Sequence, residues 1–151
     1  MALQDFRVKE SSRYSAQRYR TKAGQTAIKA GEFVLQDTSG DVEYVEVATN
    51  GVTNSRNFVG IAVSADTVTA TADGYVYVVD DPNAKFIGKP TTASNLADTI
   101  LNTVVTLDVD GDGVQTVDEN DTTDGALFIH DYDSDKGTIT VSIDLSAHLR
   151  A

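Results

Sequence analysis

"FVGIAVSADTVTATADGYVYVVDD", Phe58 to Asp81, is the stretch that decides the fold class. It opens with a short apolar run, passes through a Thr/Val alternation, turns at Asp73-Gly74 and resumes at Tyr75, Val76, Tyr77, Val78 and Val79. Side chains two apart share one face of a strand, so β-branched and aromatic residues at that period predict strands rather than a helix. Aspartate followed by glycine is a pair that tight turns select, because both tolerate the backbone angles such turns need. The stretch reads as part of a small antiparallel β-barrel or sandwich.

The same texture extends in both directions. In "TAIKAGEFVLQD" a turn at Ala30-Gly31 precedes the apolar run Phe33-Val34-Leu35. In "VEYVEVATN", Val42, Tyr44 and the pair Val45 and Val47 compete for one face, and Asn50-Gly51 is a turn signal. The only prolines, Pro82 and Pro90, bracket "NAKFIGK", and "DDP" marks a boundary near residue 81. "TTASNLADTILN" offers one helical turn, with Ser94 or Asn95 as cap and Leu96 and Ile100 at helical spacing. "TVVTLDVD", "GALFIHDYD" and "GTITVSIDL" read as further strands. The expected organisation is mainly β. An extended N-terminal arm (residues 1–22) precedes a β-barrel lobe (23–81) and a second, acidic β-rich lobe (82–151).

Composition narrows the function classes. The chain of 151 residues has no cysteine, which excludes disulfides and thiolate metal ligands. It has no apolar run long enough to span a membrane, and its polar start, "MALQDFRVKESS", lacks the apolar core of a signal peptide. The net charge of -11 is unevenly spread. Residues 1–30 carry seven basic and two acidic residues, a net of +5; the remainder carries 5 basic and 21 acidic residues, a net of -16. A strongly acidic body repels nucleic acid, so none is expected as a partner. The basic segment suits an acidic surface instead. In "SSRYSAQRYR", Arg13, Tyr14, Arg18, Tyr19 and Arg20 are candidate partner-binding residues, since arginine and tyrosine are favoured at interface hot spots. As an arm ordered by its partner, this segment is expected to be removable without loss of the fold.

Catalysis has little to work with. His130 and His148 are the only histidines, and neither a G-x-S-x-G elbow nor a phosphate-binding glycine loop is present. His130 reads as a strand-end residue and His148 as a tail contact; no enzyme is expected. The sharpest motif is "DVDGDGVQTVDE", which places Asp108, Asp110, Asp112 and Glu119 at positions one, three, five and twelve of a calcium loop, with Gly113 at six. No cofactor is required by the reading, and calcium is the one metal it admits. Against it, the flanks read as strand and loop rather than helices, and Gln115 stands where an apolar residue normally supports such a loop. The same residues suit an acidic hairpin in which Val109 and Val114 pair across the turn, and that reading is preferred. Ten acidic residues lie between Asp108 and Asp135 with no lysine or arginine among them, so like-charge repulsion is expected there.

The order of elements resembles that of tailed-bacteriophage capsid decoration, or cement, proteins. "KAGEFVLQD", "NFVGIAVSADTV" and "DGYVYVV" carry the likeness: an Ala30-Gly31 turn into a strand, the strand Gly60-Ile61-Ala62, and the turn Asp73-Gly74 leading to Val76 and Val78. The likeness covers roughly residues 24–80. It implies a non-enzymatic virion protein, made in the host cytoplasm, that binds the outer capsid surface. It also implies that the protein bridges neighbouring major capsid protein subunits and sits there as a homotrimer. The calcium loop is no part of that family's signature. The rival reading is a calcium-binding extracellular β-module with an adhesive or carbohydrate-binding role.

Overall fold

The computed structural model describes residues 6–11, 16–37, 40–49, 57–123 and 125–149. Eleven strands form among them: β1 (Arg7–Glu10), β2 (Gln17–Thr21), β3 (Phe33–Gln36), β4 (Val45–Val47), β5 (Phe58–Ala62), β6 (Gly74–Val79), β7 (Lys85–Gly88), β8 (Val104–Val109), β9 (Gln115–Asp118), β10 (Leu127–Asp133) and β11 (Thr138–Ile143). They build two antiparallel sheets, one ordered β1-β7-β11-β10-β8-β9 and the other β2-β6-β5-β3-β4. The expected mainly β class is the one observed, in the form of a sandwich rather than a closed barrel. The expected helical turn becomes two 3-10 turns, Ala93–Asn95 and Asp98–Ile100, because Leu96 and Ala97 between them are extended.

Alternation along the strands explains how the sheets meet. Ile139, Val141 and Ile143 of β11, with Leu127 and Ile129 of β10, face Phe33, Leu35, Phe58 and Ile61 of the smaller sheet in one large buried cluster. The smaller sheet buries its second face as well. Val34, Val45, Val59, Val76 and Val78 surround Ile28 in a separate cluster. The sheet curls round that cluster until its two edges meet at a single bridge, Arg20 to Tyr44. Gly60 makes the curl possible at β5, where a register shift occurs against β3. A Cβ there would lie 1.9 Å from the Val79 carbonyl oxygen, so β5 and β6 approach too closely at this point for any side chain.

Residues 7–10 and 17–21 are extended, but they are strands of the body rather than a separate arm. β1 pairs with β7 in the larger sheet and β2 with β6 in the smaller. Phe6 is buried, its ring 4.5 Å from that of Phe33. Removing residues 1–22 therefore takes two edge strands and a core aromatic with it, and the expectation of a dispensable arm does not hold. The physical reason is pairing over distance. A short strand with few aliphatics acquires its stability from a remote partner that local pattern does not reveal. The chain passes from the smaller sheet to the larger between β6, which ends at Val79, and β7, which starts at Lys85.

Gln115, the misfit in the calcium-loop pattern, has a structural task. It is 4% exposed, and its side chain crosses from β9 to the smaller sheet. The Phe33 N–H donates to Gln115 Oε1 at 2.7 Å, while Gln115 Nε2 donates to the carbonyls of Ala48 at 3.1 Å and Phe33 at 3.4 Å. The amide imitates a strand where no strand is available. Gln115→Leu should lower stability by about 2–4 kcal/mol, since each buried polar group left without a partner costs about 1–3 kcal/mol. Urea unfolding measures this, and a loss below about 0.5 kcal/mol would show that the bridge contributes little.

Candidate interaction face

The five residues proposed from sequence to bind a partner part company in the structure. Arg13 and Tyr14 lie outside the described residues. Tyr19 points inward from β2, packing on the smaller cluster and donating its hydroxyl hydrogen bond to Asp80 Oδ2 at 2.6 Å. Arg20 is drawn into the seam between β2 and β4. Its guanidinium lies 4.9 Å from the centre of the Tyr44 ring and 3.1 Å from Asp73 Oδ2. The Tyr44 hydroxyl donates to the same carboxylate at 2.8 Å, and Lys22 pairs with Asp41 nearby. The Ala23 N–H, then the Tyr44 hydroxyl, hold the Asp73 carboxyl below its ordinary pKa. Tyr44 moves the other way, above its ordinary value, chiefly because its proton is held by Asp73.

Arg18 is different. It projects from the solvent side of β2 and lies over the Tyr75 ring at 5.3 Å, and among the described residues no carboxylate pairs with it. Tyr75 and Tyr77 are 40% and 39% exposed, large fractions for aromatic side chains, and they meet edge to face at 5.9 Å. Register explains the grouping: Arg18 stands opposite Tyr77, and Arg20 opposite Tyr75. The sequence reading missed the two tyrosines as surface residues. The signal was present, because Tyr75 and Tyr77 alternate with Val76 and Val78, and a buried valine face forces the tyrosines to the other side.

The calcium-loop residues fold as a hairpin between β8 and β9, with Val109 opposite Gln115, one residue beyond the expected Val114. Asp110 Oδ1 accepts from the N–H groups of Asp112 and Val114, closing the turn on itself. Glu119 is buried on the other side of β9, accepting from the Thr92 N–H and the Asn95 side chain, each at 3.0 Å. Asp108 accepts from the Thr91 hydroxyl. The four carboxylates are not brought together, and among the described residues no three metal-ligating groups of histidine, cysteine, aspartate or glutamate converge.

The histidines are equally local. His130 Nε2 is 2.8 Å from Ser142 Oγ across β10 and β11, and its ring packs 4.8 Å from Phe128. Burial first, and Lys85 second, hold it below its ordinary pKa, so it is neutral at pH 7. Among the described residues no carboxylate hydrogen-bonds to it. His148 makes its contact within the C-terminal segment and is buried there, bridging to Phe58 at the start of β5. Comparison with known protein families, characterised proteins and solved structures finds no match to this chain.

Asp118 stands half-buried beside other carboxylates of the acidic stretch. Its carboxyl is pushed above the ordinary value by burial first, then by Glu119, Asp108 and Asp121, against the pull of the Asn120 N–H. A raised native pKa means that the folded state binds the proton more tightly than the unfolded state, so ionisation at neutral pH costs stability. Asp118→Asn should therefore be more stable than the parent chain at pH 7. The gain should vanish as pH falls below the ordinary aspartate range, where both states are protonated. Denaturant melts across pH measure it, and a gain that persists unchanged in acid would contradict the assignment. Millimolar calcium should raise the melting temperature no more than salt of equal ionic strength; a saturable rise with one ion per chain would overturn the hairpin reading.

Proposed function

We propose that this chain is a structural virion protein that binds the outer surface of an assembled phage capsid and stabilises it by bridging neighbouring major capsid subunits. The observation that carries the proposal is the face made by Arg18, Tyr75 and Tyr77. A guanidinium with no carboxylate partner among the described residues lies over one exposed tyrosine beside a second, on a body that is otherwise acidic. Holding these side chains in place before contact reduces the ordering cost of binding. Arginine and tyrosine are also the residue types that dominate interface energetics. The acidic remainder suits a surface left in solvent on a crowded shell, where like charge keeps neighbouring copies apart except at the docked face. The sequence resemblance to decoration proteins supplies the capsid as partner.

Three copies per site, which the resemblance implies, would associate through side-chain surfaces rather than by pairing at β9. The outer edge of β9 is already engaged, since Val117 exchanges backbone hydrogen bonds with Lys89 and Thr91.

Arg18→Glu and Tyr77→Ala should each weaken co-sedimentation with empty capsids roughly thirtyfold, corresponding to about 2 kcal/mol for a hot-spot residue. Both sites are exposed, so the melting temperature should stay near that of the parent. Undiminished sedimentation by the double variant would sink the proposal.

A further inference from the structure

The margin between the two sheets opens where β1 passes β5 and β6. A cleft of about 520 Å³ lies there, lined by Phe6, Val8, Ile61, Val63 and Val79, with Arg7 at its rim. Its floor is the main core reaching the surface, since Phe6, Ile61 and Val79 all belong to the large buried cluster.

Strand register joins this cleft to the tyrosine face. Ile61 stands opposite Val79 on β5 and β6. Beyond them, the Val63 N–H donates to the Tyr77 carbonyl at 2.9 Å, which makes Val63 and Tyr77 neighbours in the next row. Residues directly opposite one another, and residues two apart on one strand, share a face. Ile61, Val63, Val79, Tyr77 and Tyr75 therefore project to the same side. Val63 is 47% exposed, a bare valine between the cleft and Tyr77. Arg7 lines the cleft, Arg18 stands opposite Tyr77 in the row that holds Val63, and among the described residues no carboxylate pairs with either.

We propose that the cleft is a socket for one large apolar or aromatic side chain, presented by an extended acidic segment of the partner whose carboxylates reach Arg7 and Arg18. This deepens the docking reading above and rests on it. Charge selects the occupant. The chain as a whole carries -11, so a basic segment would be attracted to most of its surface but not to this margin, where two guanidinium groups stand uncompensated. Guanidinium groups bind carboxylates through paired hydrogen bonds, which adds orientation to attraction. The apolar lining between them favours a side chain that leaves no polar group unpaired.

The chain has no tryptophan, so a blocked peptide Asp-Glu-Trp-Glu-Asp reports its own burial by fluorescence. A saturable blue shift is expected with the full chain. Val63→Glu, and the pair Arg7→Glu with Arg18→Glu, should each weaken it at least tenfold, as should lysine in place of the peptide's acidic residues. Val63 is a surface side chain, and a thermal melt confirms that its variant folds; Val63→Ser provides a second, uncharged change with the same expected direction. Equal binding by Val63→Glu, or equal binding of the lysine peptide, overturns the socket. Co-sedimentation separates the two readings. Capsid binding that survives Val63→Glu but is lost in Arg18→Glu overturns the socket and leaves decoration standing. Peptide binding by a chain that ignores capsids supports the socket and overturns decoration.

Discussion

Phe33 holds its ring among three other phenylalanines while its peptide group is bonded by a side chain from the opposite sheet. The ring centre lies 4.5 Å from that of Phe6, 5.7 Å from Phe86 and 6.0 Å from Phe58, all edge to face. Phe6 brings the start of the chain, Phe58 the smaller sheet and Phe86 the larger. Burying so many aromatic rings at one point also buries the backbone that carries them, and a buried N–H must find an acceptor. Gln115 supplies it. The apolar and polar demands of one residue thus fix the separation and the relative position of both sheets. Gly88 completes the arrangement, since a Cβ there would lie 2.2 Å from the Phe6 ring.

The charge asymmetry of the chain has a structural outcome as well. The three ion pairs among the described residues, Arg20–Asp73, Lys22–Asp41 and Lys85–Glu10, each join the first 22 residues to a later part of the chain. All are exposed, and such pairs contribute about 0–1 kcal/mol each, so they do not hold the fold together. They select partners for the two edge strands in a sequence rich in alternatives. Among the described residues the guanidinium groups of Arg7 and Arg18 enter no ion pair; Arg7 lines the opening between the sheets, and Arg18 stands opposite Tyr77.

Legibility in the sequence followed the range of the interaction. Strands such as Gly74–Val79 and Thr138–Ile143 announced themselves through alternation, because the residues that decide them are two apart. β1 could not be read this way, since Arg7 finds its partner at Ile87. Gln115 looked like a defect in a metal loop because the group it serves, Phe33, lies 82 residues away. For the candidate site, Arg18 was visible in the Tyr/Arg interleaving, whereas the inward turn of Tyr19 and the capture of Arg20 by Asp73 depend on β2 pairing with β6. Tyr75 and Tyr77 were legible in principle, and their valine neighbours were the clue.

The placement of β1 and β2 in different sheets sets the order in which the molecule can be completed. Among the described residues β1 pairs with a strand made near the middle of the sequence, and β2 with one more than fifty residues on. Closing such long loops carries an entropic cost before any contact compensates it, so these pairings belong late in folding. Until then β6 and β7 each lack the neighbour that covers them, and Phe33 lacks the ring of Phe6. A chain that leaves β1 and β2 for last keeps two adhesive edges exposed while it emerges from the ribosome, which makes its yield sensitive to concentration and temperature even where the finished protein is not.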